Sequence, residues 1–224
     1  MSNSSPAMNT TSATAWRLAL HSAQFAPGSE MNFGKGIVVF FLRDGKVIAD
    51  DGDESVSHQT SEAWVQRSPT RLLDGGAAAA VDWWTLSPAG ELPVAHGEVL
   101  LEHEIAIDTP TRLLRCDQVD FPPGGVAYEH THAGPGIRRL ISGTLRVQTG
   151  GESHLYVPGD AWFEPGPTAV YAEASRDIGA TFLRMMVLPV AFKGKSSINY
   201  VHEEDRVRPK DQRYTIYLDE EISL

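Results

Sequence analysis

Short apolar or alternating runs separated by glycine turns fill most of the chain. They cover Gly36 to Leu42, Lys46 to Asp50, Val99 to Ile107, Gly136 to Ile141, Thr144 to Gln148, Thr181 to Val190 and Arg213 to Leu218, with D-G, S-G and P-G turns between them. A period of two with turn residues at both ends is the pattern of a β-strand, and few stretches carry a helical period. Many closely spaced strands with little helix predict an all-β protein built as a sandwich, barrel or jelly roll.

The pattern also repeats. Sliding the chain along itself so that Gly45 meets Gly143 brings Gly36 onto Gly134, Leu42 onto Leu140 and Gly52 onto Gly150. In the same register Ala63-Trp64 meets Ala161-Trp162 and Pro69-Thr70 meets Pro167-Thr168, so two copies of one unit are expected. The expected division is a loose polar tail over residues 1–14, a first barrel over 15–108, a second over 109–193 and an extension over 194–224. Within the extension Arg213 to Leu218 alternates like a strand that joins a sheet edge, in the first copy or in a second subunit, and a homodimer is expected.

Composition narrows the function class. The chain has 224 residues and a net charge of −10, and its 19 Lys and Arg residues are scattered, which leaves no basic stripe to bind nucleic acid. No apolar run is long enough to span a bilayer, and the first residues lack the basic and apolar blocks of a secretory signal. The single cysteine, Cys116, cannot form an internal disulfide and reads as core. A folded enzyme or binding module, soluble in the cytoplasm, is therefore expected.

The chemistry concentrates in the second copy, in G-G-V-A-Y-E-H-T-H-A-G-P-G-I-R-R-L-I-S-G from Gly124 to Gly143. Residues two apart on a strand share a face, so His130 and His132 aim both imidazoles at one point, and Tyr128 is expected on that face with Glu129 on the other. Gly124, His130, His132 and Gly143 have the spacing of the first cupin motif, and V-P-G-D-A-W-F-E-P-G-P-T from Val157 to Thr168 is similar to the second. The resemblance implies a bicupin with a degenerate first half: two tandem cupin-like antiparallel β-barrels, each a jelly roll or double-stranded β-helix.

The departures from the family pattern are specific. The motif's glutamate falls on Gly136, its last histidine falls on Ala169 or Val170, and the first copy has Asn32 and Gly34 opposite the histidine pair. Two imidazoles rarely hold a metal alone, so Glu164 is the expected third ligand of a divalent transition metal (Fe, Mn, Ni or Zn). Arg138, two residues beyond position 136, is expected to face inward and to bind a substrate carboxylate, with an ion pair to Glu164 as the competing role. Three functions remain open: a metalloenzyme of dioxygenase, isomerase or lyase type, a non-catalytic metabolite-binding cupin, and a metal-free acid-base dehydratase or cyclase using a histidine with Tyr128. Trp64 and Trp162 are expected as core, Trp83-Trp84 between the halves, and His202 in solvent.

Overall fold

The protein, in a computed structural model, is described over residues 13–91 and 97–224. The expected tail thus lies, as far as residue 12, outside the described residues. The first half contributes β1 (Thr14–Phe25), β2 (Glu30–Phe33), β3 (Ile37–Asp44), β4 (Lys46–Asp50), β5 (Ser55–Gln59), β6 (Glu62–Val65), β7 (Thr70–Asp74), β8 (Ala79–Pro88) and β9 (Glu98–Ile107). The second contributes β10 (Thr111–Phe121), β11 (Val126–His132), β12 (Gly136–Gly143), β13 (Leu145–Thr149), β14 (Glu152–Tyr156), β15 (Ala161–Glu164), β16 (Val170–Ala174) and β17 (Ala180–Leu188), followed by β18 (Ile198–Tyr200) and β19 (Arg213–Ser223). Two 3-10 turns, Val190–Phe192 and Glu203–Arg206, are the helical elements among the described residues.

The two halves are one topology written twice. One sheet of the first half runs β6-β3-β8-β1-β9 and its counterpart runs β15-β12-β17-β10-β19, all antiparallel. The second sheets run β5-β4-β7-β2 and β14-β13-β16-β11, the latter extended by β18. Register is shared to the residue: Phe40 opposes Trp64 as Arg138 opposes Trp162. The turns repeat as well, since Gly45 and Gly143 adopt φ of 88° and 76°, where a Cβ would lie 2.4 Å from Ala78 O and 2.1 Å from Gly179 O. Only glycine tolerates both that φ and that approach.

Alternation along the strands sends side chains to three large cores and a small fourth cluster of Leu113, Met186 and Leu188. Phe25, Phe33, Phe40, Leu72 and Trp83 fill the first barrel, while Val119, Leu140, Val147, Trp162 and Phe182 line the second. The opposite faces of the β6-β3-β8-β1-β9 and β15-β12-β17-β10-β19 sheets pack on each other through Leu18, Leu20, Phe41 and Trp84 of one and Leu114, Cys116, Ile137 and Met185 of the other. Each such large apolar side chain stabilises by roughly 1.5–3 kcal/mol when buried. Trp83 and Trp84 were expected together between the halves, but strand alternation separates them, and only Trp84 reaches the interface. Cys116 is buried there, and burial raises its thiol pKa well above the ordinary value. Asp82 of the first barrel accepts an ion pair from its own Arg43 at 2.9 Å and another from Arg139 of the second, which ties the halves through buried charge.

The C-terminal extension folds onto the second barrel itself. β18 pairs with β11 and β19 with β10, so neither the first barrel nor a second subunit supplies the partner edge considered from the sequence. The two added strands border the seam between the sheets of the second barrel and decide what surrounds the histidine pair.

Candidate functional site

β11 carries the histidines inward. His130 and His132 are both buried, with Nε2 atoms 3.2 Å apart and ring planes at 86°. His130 Nδ1 lies 2.7 Å from the carbonyl oxygen of Tyr128, which can only accept, so that nitrogen carries the proton and Nε2 presents its lone pair. Burial lowers both imidazole pKa values, that of His132 to about 3 against the opposing pull of Glu164, so both rings are neutral at pH 7. The Nδ1 atom of His132 has no hydrogen-bond partner among the described residues.

Tyr128 is not in this cluster. The pairing of β11 with β16 slips between Ala127 and His130, where three steps on one strand match two on the other. This β-bulge resets the alternation, so Ala127 and the two histidines line the barrel while Tyr128 lies beneath Arg208, 5.0 Å from its ring centroid, outside the lining. Glu129 points away from the barrel as alternation requires and pairs with His202 at 3.0 Å, which leaves His202 at the surface but not free.

Glu164 stands on β15 directly opposite Gly136 on β12. The carboxylate missing at the motif position is thus delivered from the neighbouring strand. Gly136 cannot carry one, because a Cβ there would lie 2.5 Å from Met185 O. Glu164 Oε2 is 3.2 Å from His132 Nε2 and 2.6 Å from Arg138 Nη2, while Oε1 accepts the Trp162 indole N–H at 2.8 Å. Burial opposes ionisation of Glu164, but Arg138, the His132 ring and the indole together hold its carboxyl well below the usual carboxylate range. Arg138, fully buried, also donates to Gly136 O at 2.6 Å, and burial lowers its pKa to about 10. Of the two roles expected for Arg138, the ion pair to Glu164 is the one observed, and the guanidinium is not left for a substrate carboxylate.

Beside this pair lies a second one that the sequence reading missed. Arg184 on β17 donates to Asp117 on β10 through Nε at 2.7 Å and Nη2 at 2.9 Å, and Tyr214 on β19 lies 5.7 Å from its guanidinium. A single arginine inside the apolar run T-F-L-R-M-M-V-L was the available signal. The cavity between the two ion pairs and the histidines is about 30 Å³, close to the space of one water. It adjoins an outer vestibule of about 410 Å³ that shares Arg184, Ile198 and Tyr214 with it and is also lined by Lys195, Tyr200 and Lys210.

The expected metal set was His130, His132 and Glu164. The spacing of 3.2 Å along the series suits neighbouring ligands, yet no three His, Cys, Asp or Glu side chains among the described residues close around one point. Arg138 occupies the oxygen that Glu164 would offer, and the two ion pairs already balance charge, so a dication would add a full +2 in a low-dielectric interior. The residues as arranged do not fit a three-ligand metal centre.

Comparison with known proteins agrees with this architecture. Residues 118–169 match the family described as a cupin domain. The chain is similar in structure to oxalate decarboxylase from Bacillus subtilis, as a tryptophan-to-tyrosine variant (TM-score 0.64, 12% identity, 89% of this chain and 78% of that one). It is also similar to AerE from Microcystis aeruginosa (TM-score 0.61, 10% identity, 76% and 88%) and to salicylate 1,2-dioxygenase from Pseudaminobacter salicylatoxidans (TM-score 0.54, 10% identity, 91% and 75%). No curated relative matches by sequence. Residues 118–169 of the second barrel thus carry a cupin domain, and the chain as a whole has the fold of two tandem cupin-like barrels. At these identities the structural likeness establishes the fold. No helix among the described residues is long and apolar enough to cross a membrane.

Proposed function

We propose that the second barrel is the working half of an enzyme that moves a proton on a small organic molecule, of isomerase or lyase type, with His130 as the base. The observation that carries this is the orientation of His130: Nδ1–H held by the Tyr128 carbonyl, Nε2 turned inward, the ring neutral through burial. A neutral imidazole with a fixed tautomer is the arrangement a general base needs. His132 and Glu164 hold its environment, and Arg138 keeps Glu164 ionised. The reacting end of a substrate approaches from the vestibule, because the inner cavity is too small for a whole molecule.

The 3.2 Å spacing of the two Nε2 atoms favours a second reading, in which His130 and His132 bind a divalent metal and Glu164 joins them on release from Arg138. Metal analysis of protein purified without chelator, together with deuterium exchange at the α-carbon of small 2-oxo acids, separates the two. The proton-transfer reading expects exchange that survives chelator treatment and falls at least about 10²-fold in His130→Gln. Near-stoichiometric metal that His130→Ala abolishes, with exchange lost on chelation, would replace it by the metal reading.

A further inference from the structure

We infer that the ligand of the second barrel is a small organic anion with a planar body, held in the vestibule by Lys195 and Lys210 and laid against Tyr200. The inference rests on the reading of the His130 pocket as the reaction site. It starts from volume: about 410 Å³ lies within the range of small-molecule sites, whereas the inner 30 Å³ admits only the reacting end.

Charge then selects the ligand. The vestibule is lined by Arg115, Arg184, Lys195 and Lys210 against one carboxylate, Asp117, in a protein whose net charge is −10. The two arginines are neutralised, Arg184 by Asp117 at 2.7 Å and Arg115 by Asp219 at 2.9 Å. Neither lysine has an ion-pair partner among the described residues. Lys210 Nζ donates to the carbonyls of Asp205 and Arg208 and, at 3.4 Å, of Arg206, which orient the ammonium without cancelling its charge, and it stands 4.5 Å from the centroid of the Tyr200 ring. Two cations without an ion-pair partner on the wall of a cleft raise the local concentration of anions and favour their binding.

Tyr200 links the vestibule to the base. It opposes His130 in the β11–β18 pairing, and the two ring centroids are 6.3 Å apart. Lys210 stands over the Tyr200 ring and that ring neighbours His130, so a carboxylate drawn to the lysine brings a planar body beside the base. Burial raises the Tyr200 phenol to about 12, so it stays neutral and does not repel an anion. Specificity thus falls to the C-terminal extension, which supplies Lys195, Tyr200 and Lys210, and not to Arg138.

The test is an NMR titration of the full chain with benzoate and with benzamide, its neutral counterpart of like shape. Benzoate is expected to bind with a dissociation constant of about 1 mM or tighter and benzamide at least about tenfold more weakly. Lys195→Met and Lys210→Met should each weaken benzoate roughly 3- to 10-fold without affecting benzamide, and Lys210→Arg should restore it. If Lys210→Met disturbs the loop whose carbonyls it caps, Lys195→Met still decides the matter. Equal affinity for the two probes, no benzoate binding below about 10 mM, or insensitivity to both lysines would overturn the inference. His130→Gln should leave benzoate affinity within about twofold while removing proton exchange. Failure of the exchange assay with benzoate still bound through the lysines would therefore count against the proposed chemistry alone.

Discussion

The two barrels share a backbone and differ in what they enclose. In the first, Phe40 opposes both Trp64 and Trp83, and Trp83 opposes His21. In the second, the same pairing pattern places Arg138 opposite Trp162 and Arg184, and Arg184 opposite Asp117. Gln66, in the position of Glu164, donates to Gly34 O at 2.6 Å instead of meeting a charge. The first interior is closed by aromatic edges and faces, with Phe33 4.8 Å from Phe40 and 5.4 Å from Trp83, and His21 stacked on Trp83. The second keeps two ion pairs and two imidazoles around a small cavity. One fold therefore tolerates either an aromatic plug or a polar site, provided that each buried full charge finds its counterpart.

The largest effect expected from this comparison comes from grafting one interior onto the other. Arg138→Phe copies Phe40 but strands the Glu164 carboxylate, and urea unfolding should show a loss of about 3–5 kcal/mol. Adding Glu164→Gln, which copies Gln66, removes the stranded charge and should recover most of that loss. A double variant no more stable than the single would show that the two interiors are not interchangeable solutions.

An intermediate effect is expected from pH. The folded-state pKa of His132 is lowered to about 3 and that of His21 to about 4, both by burial, so as pH falls below the ordinary value of 6.5 the unfolded chain takes up protons that the native one refuses. Stability should decline with acidification from about pH 6.5 downward, with His132 contributing roughly 2 kcal/mol by about pH 5. The depressed Glu164 carboxyl adds a loss of the same sign once pH falls below 4.5. His132→Phe should flatten the upper part of this curve, as measured by unfolding midpoints between about pH 7 and 5. An unchanged slope would mean that His132 is not the buried neutral group.

The smallest effect sharpens the comparison at a turn. Ser61 and Gly159 hold equivalent positions, each donating its N–H to the facing strand, at 2.7 Å to Leu42 O and 2.9 Å to Leu140 O, with φ of 69° and 99°. A serine held in that region is strained. Ser61→Gly should stabilise the first barrel by about 0.5–1 kcal/mol in thermal unfolding, and Gly159→Ser should destabilise the second by a similar amount.

Whatever depends on local order could be read from the residues alone. The strand runs from Gly36 to Leu218, the register that sets Trp64 on Trp162, and the inward aim of His130 and His132 all follow from a period of two and from turns that demand glycine. Glu164 was legible as a carboxylate of the second motif, though not its place opposite Gly136. The tertiary structure alone decided where Tyr128 points, because a bulge in β11 is set by pairing with β16 and leaves no mark in the spacing. It alone decided that Arg138 belongs to Glu164 and Arg184 to Asp117, since those partners are brought together by strand pairing across the sheet. It also placed Lys195, Tyr200 and Lys210 around the histidine pocket, because the extension's docking edge is set by the competition among sheet edges for its backbone hydrogen bonds, a contest among elements distant in the chain.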